Sequence, residues 1–374
     1  MRYRPATTEE LAAIIADAAA RRETLAVTGS GSRPGIGPGA AQALLDVGGI
    51  GGRIDHDPAE LTLTAPASTP LAEVAALLAR ACQCLAFEPP DPAGIWGRGC
   101  GTLGGAVASG LSGSRRPFAG AARDHVLGLT GVSGRGEIFR AGGKVLKNVT
   151  GFDLPRLLTG SRGTLAVITE VTLKVLPLAP AQATLLLPAA TAAEAVRLMA
   201  DALLIDGGIT GAAWADNMAA LRIEASPAAL PSLLAAAQAR LPLERIVEDS
   251  ESRALWAKTT SLGPDLIAPD DIVWRCPLPA SRAPVLAALL PPEARLRLDW
   301  AGALAWVLLP ADRGDLDLHA LVREAAGRDG HAERLSGASP VPARAPLDPG
   351  LAALSARVKA QFDPAGILSP EAAP

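Results

Sequence analysis

The run GCGTLGGAVASGLSGSRRP, residues 99–117, constrains most strongly what this chain can fold into. The run consists mostly of glycine, alanine and serine, so it has few side chains that could carry out chemistry. Glycine permits a positive φ and lets successive N–H groups point toward one anion. A second glycine-rich stretch, TGSGSRPGIGPG at residues 28–39, follows a short apolar strand predicted at residues 25–27. Either stretch alone is more often a simple turn, but together they predict backbone lying against a large polyanionic ligand.

Two common nucleotide-binding motifs do not account for these loops. A dinucleotide fingerprint needs a helix directly after the glycines and an acidic residue on a second parallel strand. Pro34 and Pro38 resist that helix, and no acidic residue has the required spacing. A P-loop is excluded as well, because its pattern ends in Gly-Lys-Ser or Gly-Lys-Thr and this sequence contains neither.

Length and composition narrow the class of protein further. The 374 residues are 49% hydrophobic, enough for two domains, and carry a net charge of -3. The basic residues are scattered, so nucleic acid is not an expected partner. No run of about 18 apolar residues indicates a membrane span, and we expect a cytoplasmic protein. The four cysteines and four histidines lack the spacings of a disulfide framework, a metal site or an iron–sulfur site.

Local signals predict the main elements of both halves of the chain. The sequence TTEE at residues 7–10 indicates the start of a helix, and a second helix is expected at residues 71–82, capped by Ser68 or Thr69. A hairpin should turn at residues 134–136, and residues 163–177 have the β-branched content of buried strands. Further on we expect helices near 191–204, 228–240 and 350–361, and strands near 221–225, 272–275 and 304–309.

Five motifs in a fixed order, together with a closing segment similar to the family's C-terminal one, carry a family resemblance. They are VTGSGS at 27–32, GTLGGAVASG at 101–110, RDHVLG at 123–128, KNVTGFD at 147–153, SRGTLAVITEVTLKV at 161–175 and FDPAGILSP at 362–370. This set resembles the flavin-binding domain of the vanillyl-alcohol oxidase and p-cresol methylhydroxylase (PCMH) superfamily. The resemblance implies an α+β fold: a PCMH-type FAD-binding domain of two α/β subdomains at 1–178, then a smaller α/β lobe at 179–345. A C-terminal helix and tail at 346–374 should return to the flavin domain.

The resemblance implies FAD as the cofactor, with no metal. The glycine-rich loop at 28–39, called the first loop below, would donate N–H groups and hydroxyls to the pyrophosphate. The run at 99–117, called the second loop, would cradle the cofactor without Cβ clashes. The implied cofactor-binding residues are Thr28, Gly29, Ser30, Gly31, Ser32, Pro90, Gly101, Thr102, Gly104, Gly105, Ser109, Gly110, Arg123, Asp124, Lys147, Gly163, Thr164, Val167 and Ile168. Cys100 stands near the place where some relatives attach flavin, but we expect non-covalent FAD.

Within the superfamily, residues 110–128 and 147–177 resemble the FAD-binding accessory component of bacterial glycolate oxidases. That resemblance implies an FAD-binding subunit of a complex that oxidises glycolate to glyoxylate. Its partners would be a catalytic FAD subunit and an iron–sulfur subunit that takes the electrons, and any membrane association would be peripheral, through the complex.

Catalytic residues remain unassigned by the sequence. Relatives that oxidise 2-hydroxy acids carry a His-x-Gly-Asp-Gly-Asn motif that this chain lacks, which favours an accessory subunit. Two alternatives stay open: a free-standing FAD-dependent alcohol or hydroxy-acid oxidoreductase, and a flavin-free scaffold. Arg115 and Arg116 follow the glycine run, and we expect them to contact a partner subunit rather than the flavin.

Overall fold

The structure, a computed structural model, describes residues 1–33, 41–143, 151–205, 208–263 and 265–369. Two compact units form within it. The first comprises residues 1–112, 120–178 and 346–374, and the second comprises residues 113–119 and 179–345. The motifs predicted residues 113–119 as part of the flavin domain, whereas this segment packs with the second unit.

The first unit contains ten strands and seven helices in the described ranges. The strands are β1 Arg2–Tyr3, β2 Leu25–Thr28, β3 Ala43–Asp46, β4 Asp55–Asp57, β5 Thr62–Pro66, β6 Gln83–Cys84, β7 Val126–Ser133, β8 Ile138–Gly142, β9 Ala166–Lys174 and β10 Leu176–Pro177. The helices are α1 Thr8–Arg21, α2 Leu71–Arg80, α3 Pro92–Trp96, α4 Leu103–Ser109, α6 Ala122–His125, α7 Leu154–Leu158 and α13 Pro349–Phe362.

In the described ranges, two larger sheets organise this unit, and β6 and β10 form a separate antiparallel pair. A parallel three-stranded sheet has the order β1-β3-β2, and an antiparallel five-stranded sheet has the order β4-β5-β9-β7-β8. Each sheet has its own apolar core: Leu11 and Ile15 of α1 pack with Leu25, while Leu78 of α2 packs with Leu173. The expected mixed α/β arrangement with two subdomains is confirmed.

Local sequence signals explain several element boundaries. Thr7 caps α1 by accepting a hydrogen bond from the N–H of Glu10, at 3.1 Å. The β7–β8 hairpin turns at residues 134–136, where Gly136 has a φ of 76°. The predicted cap of α2 is wrong, because the helix starts after Pro70 without a side-chain cap and the Ser68 hydroxyl donates to the Ile50 carbonyl instead.

The C-terminal segment of the first unit lies along β2. The N–H of Leu25 donates to the Ile367 carbonyl at 2.7 Å, and the N–H of Ser369 donates to the Leu25 carbonyl at 2.8 Å. The buried carboxylate of Asp363 accepts from the N–H groups of Ile367 and Leu368 and from the Nζ of Lys359. These contacts confirm that the tail returns to the first unit.

As far as its residues are described, the second unit is built on one antiparallel sheet of eight strands in the order β14-β11-β13-β12-β16-β17-β15-β18. Its strands are β11 Ala181–Pro188, β12 Ile209–Ala215, β13 Met218–Ala225, β14 Arg245–Glu248, β15 Ile272–Pro277, β16 Arg295–Asp299, β17 Leu304–Leu309 and β18 Glu333–Ser336. Its helices are α5 Arg116–Ala119, α8 Ala192–Leu203, α9 Leu230–Gln238, α10 Asp249–Ser261, α11 Ala283–Leu289 and α12 Leu318–Ala326.

Candidate cofactor site

A cavity of about 370 Å³ opens in the first unit where the two glycine-rich stretches meet. This volume lies in the range of small-molecule sites. Twelve of the predicted cofactor residues line it: Thr28, Gly29, Ser30, Gly31, Ser32, Thr102, Gly104, Gly105, Ser109, Gly163, Val167 and Ile168. The structure therefore brings the first loop, the second loop and the start of β9 to one place.

The first loop turns directly out of β2 into this cavity. Gly31 has a φ of 67°, a conformation that favours glycine, and among the described residues a Cβ there would meet only the Thr28 hydroxyl within 4 Å, at 3.8 Å. The hydroxyl of Ser30 donates to that of Ser32 at 3.1 Å. Glycine is thus needed here for the backbone conformation, and the space beside it stays open to a ligand.

The second loop, residues 99–117, is partly helical, which the sequence did not predict. Thr102 caps α4 by accepting from the N–H of Gly105 at 3.1 Å. A Cβ on Gly104 would lie 2.5 Å from the Ala67 Cβ and 2.9 Å from its carbonyl oxygen. Gly104 lines the cavity as predicted for a cofactor-binding residue, and close packing of α4 against Ala67 also requires a glycine there.

Gly101 also serves packing rather than the cavity. A Cβ on it would meet Pro92 at 3.0 Å and Leu71 at 3.2 Å, and Gly101 is outside the lining. Gly110 ends α4 with a φ of 64°, where a Cβ would approach the Gly160 backbone at 3.0 Å. Both glycines shape the second loop without lining the cavity.

Four further predicted residues that the structure describes, Pro90, Arg123, Asp124 and Thr164, do not line the cavity either. The Pro90 carbonyl accepts from Arg33, and the Thr164 carbonyl accepts from Lys359. Arg123 is exposed, and Asp124 caps α6 and pairs with Arg156 at 3.1 Å. Lys147 lies outside the described residues.

Three arginines that the sequence did not assign to the site line the cavity: Arg33, Arg98 and Arg162. No acidic side chain occurs in the described lining, so the cavity is positively charged. Arg33 comes directly after Ser32 of the first loop, and Arg162 precedes Gly163. A cation next to each glycine turn is therefore the sequence signal that could have identified these arginines as site residues. A cationic cavity with open backbone N–H groups fits the doubly charged pyrophosphate of FAD.

Arg33 is a half-buried cation of this lining. Its guanidinium donates to the Gly105 carbonyl, to the Ser109 hydroxyl at 3.0 Å and to the Pro90 carbonyl at 3.4 Å. Burial lowers its pKa to about 10, against an opposing effect of Asp91. Its Nε has no hydrogen-bond partner among the described residues. A buried cation held mainly by neutral acceptors fits an anionic ligand, which would compensate its desolvation.

Other chemistry is sparse in the described ranges. No three His, Cys, Asp or Glu side chains there come together as a metal site, and none of the described helices has both the length and the apolar character needed to cross a bilayer. Cys100 is exposed and lies outside the cavity lining. Cys276 is buried, and this burial raises the pKa of its thiol to about 12.

Known proteins share this fold and parts of this sequence. A family model described as an FAD binding domain matches residues 1–142. Alkyldihydroxyacetonephosphate synthase superimposes with a TM-score of 0.70 over 99% of this chain and 75% of its own, at 15% identity, which bears on the fold alone.

Sequence relatives extend the likeness to the whole chain. Glycolate oxidase subunit GlcE of Escherichia coli is 34% identical over 98% of this chain and 96% of its own length. Glycolate oxidase subunit GlcD of Bacillus subtilis is 42% identical over 27% of this chain and 21% of its own length. A D-lactate dehydrogenase of Anaerostipes hadrus is 32% identical over 49% of this chain and 37% of its own length. The chain therefore belongs to the glycolate oxidase subunit GlcE family of FAD-dependent oxidoreductase subunits, with a PCMH-type fold and FAD as its cofactor.

Proposed function

We propose that this chain is the FAD-binding subunit of a complex that oxidises glycolate to glyoxylate. The observation that carries the proposal is the similarity to subunit GlcE, which extends over 98% of this chain. The cationic cavity of the first unit supports it, because Arg33, Arg98 and Arg162 supply charge for a pyrophosphate. Bound FAD supplies the two-electron oxidising chemistry of such a complex.

The residues of this chain would hold the cofactor in two ways. Backbone N–H groups of the first loop, near Gly29 and Gly31, would donate to the phosphate oxygens, as successive amides do in anion-binding turns. The guanidiniums would add charge-assisted bonds, and the Arg33 side chain is already fixed by its contacts with Gly105, Ser109 and Pro90. Such preorganisation lowers the entropy lost on binding.

The partners in this proposal are a catalytic FAD subunit and an iron–sulfur subunit. The partial likeness to subunit GlcD and to a D-lactate dehydrogenase is consistent with a shared hydroxy-acid chemistry. We infer a cytoplasmic protein, and any membrane association would be peripheral and occur through the complex.

Co-purification tests the proposal. The chain is tagged and expressed from its own operon, and the expected result is capture of a second flavoprotein and an iron–sulfur protein, with glycolate-dependent dye reduction in the captured material. A strain without this chain should lose that activity and regain it on complementation. Capture of the chain alone, with undiminished glycolate oxidation in its absence, would contradict the proposal.

A further inference from the structure

The last described residues, 359–369, form a segment that we call the strap, and it lies along the first unit. The N–H of Ser369 donates to the Leu25 carbonyl at 2.8 Å, and the N–H of Val27 donates to the Ser369 hydroxyl at 3.3 Å. Leu368 is fully buried in the apolar cluster that contains Leu25. The strap is therefore attached to β2, the strand that leads into the first loop.

Lys359 joins the strap to a second part of the same unit. Its Nζ donates to the Thr164 carbonyl at 2.5 Å, to the Leu368 carbonyl at 3.0 Å and to the Asp363 carboxylate at 2.6 Å. The Asp363 carboxylate is fully buried and also accepts from two N–H groups of the strap. A buried carboxylate that loses its cation is costly, so Lys359 stabilises the folded strap.

The Thr164 carbonyl belongs to a turn with an unusual backbone. Arg162 has a φ of 56° and Gly163 a φ of 75°. The Thr164 hydroxyl donates to the Ser161 carbonyl at 2.6 Å and closes the turn. A non-glycine residue with a positive φ is uncommon and persists where its surroundings hold it. The hydrogen bond from Lys359 is one such restraint.

Both attachment points of the strap are walls of the cavity. Val27 of β2 lines it, and so do Arg162 and Gly163 of the turn. A Cβ on Gly163 would lie 3.4 Å from the Val27 Cβ and 3.5 Å from the Ser369 Oγ, so the two walls and the strap meet at this point. β2 belongs to the three-stranded sheet, whereas the turn leads into β9 of the five-stranded sheet. The strap thus binds two walls that different sheets supply.

We propose that docking of the strap controls how tightly the cavity holds FAD, and that Lys359 is the positioning residue for this effect. The docked strap fixes the two walls relative to each other. FAD then binds a preformed cavity, whereas with a loose strap it has to order the walls as it binds. Such coupling is reciprocal, so bound FAD stabilises the docked strap. This inference concerns the cofactor and goes beyond the substrate and partners of the proposed function.

Fluorescence titration of the full-length apoprotein with FAD tests the role of Lys359. Lys359→Met keeps an unbranched apolar chain and removes the donated hydrogen bonds, so it should weaken FAD binding at least about fivefold, the lower end of coupling between two sites. Lys359→Arg keeps the charge and should restore most of the affinity. Arg357→Met is the matched control, because Arg357 is exposed on the same helix, and it should change the affinity less than about twofold.

Hydrogen exchange measures the reverse effect. The N–H of Ser369 donates to β2, and the N–H of Leu25 donates to the Ile367 carbonyl of the strap, so docking protects both. Saturating FAD should slow their exchange at least about fivefold. In a two-state equilibrium of docking, this slowing is at least as large as the loss of affinity in Lys359→Met. The apoprotein of Lys359→Met should exchange these two N–H groups faster than the unmodified apoprotein.

Two results would overturn the proposal. They are equal FAD affinities in Lys359→Met and Arg357→Met, and exchange at Ser369 and Leu25 that FAD leaves unchanged. A merely structural Lys359 would give the first of these, because its loss would then lower the free energy of unfolding equally with and without FAD.

A milder variant serves if Lys359→Met does not fold. Ser369→Ala removes only the hydroxyl that accepts from Val27, and it should weaken FAD binding about two- to threefold. An unchanged affinity in Ser369→Ala would then overturn the proposal. Captured partner subunits are measured on the same preparations. The predicted strap effects in a chain that captures no partner would contradict the proposed function alone.

Discussion

At the scale of single residues, Arg33 links the fold to the cofactor. The side chain is held by Gly105, Ser109 and Pro90 and lies near the Trp96 ring, with its Cζ 5.6 Å from the ring centroid. Burial depresses its pKa to about 10, so the charged guanidinium is less stable in the folded chain than in water. An anion beside the guanidinium would reverse that effect, so we expect Arg33 to contribute to cofactor affinity.

Replacing Arg33 with glutamine should weaken FAD binding by about 1.5–3 kcal/mol, the usual range for a hydrogen bond to a charged group. The measurement is fluorescence titration of the apoprotein with FAD, with circular dichroism to verify folding. Arg53→Gln serves as the control, because Arg53 is exposed and lies outside the cavity lining. Indistinguishable FAD affinities for the two variants would remove Arg33 from the site.

At the scale of elements, the two glycine-rich stretches have separate roles. The stretch at 99–117 forms α4, where Gly104 packs against Ala67, and the loop after β2 supplies open backbone to the cavity. The loop glycine Gly29 faces Thr102, where a Cβ would lie 3.1 Å from the hydroxyl oxygen and leave the strand packing unaffected. Packing and ligand access can therefore be separated by substitution.

Gly104→Val should destabilise the chain by about 1–3 kcal/mol even without FAD, because the added atoms meet Ala67 and its backbone. Gly29→Val should instead lower FAD affinity with little change in the free energy of unfolding of the apoprotein. Urea denaturation and FAD titration of both variants distinguish the two effects. Unchanged stability in Gly104→Val, or full FAD affinity in Gly29→Val, would show that these roles are assigned wrongly.

The sequence predicted what depends on neighbours along the chain. The Thr7 cap of α1, the β7–β8 hairpin and the first glycine loop all have signals within a few residues, and the structure contains each of them. The α4 helix was missed because glycine has a low helix propensity, and only its packing on β5 and β9 makes the helix form. The Arg116 and Arg275 contacts with Trp300 were missed because they join residues far apart in the sequence.

At the scale of the whole molecule, the chain forms two units that are each discontinuous in sequence. The first unit gathers residues 1–112, 120–178 and 346–374 and contains the FAD cavity, and its last segment is fixed by Lys359 and Asp363. The second unit includes residues 113–119, which lie between two flavin-domain motifs, and Arg116 of this segment lies against the Trp300 ring. The part of the chain that carries those motifs therefore contributes residues to both units.

The flavin content of the purified chain tests the central claim most directly. We predict a yellow protein with about one FAD per chain, and release of that FAD into the supernatant on acid precipitation, because Cys100 lies outside the cavity lining. FAD content is measured by absorbance after precipitation and by chromatographic comparison with authentic FAD. A folded chain that neither contains FAD nor takes it up from solution would contradict the proposed cofactor site, and flavin retained on the denatured chain would contradict non-covalent binding.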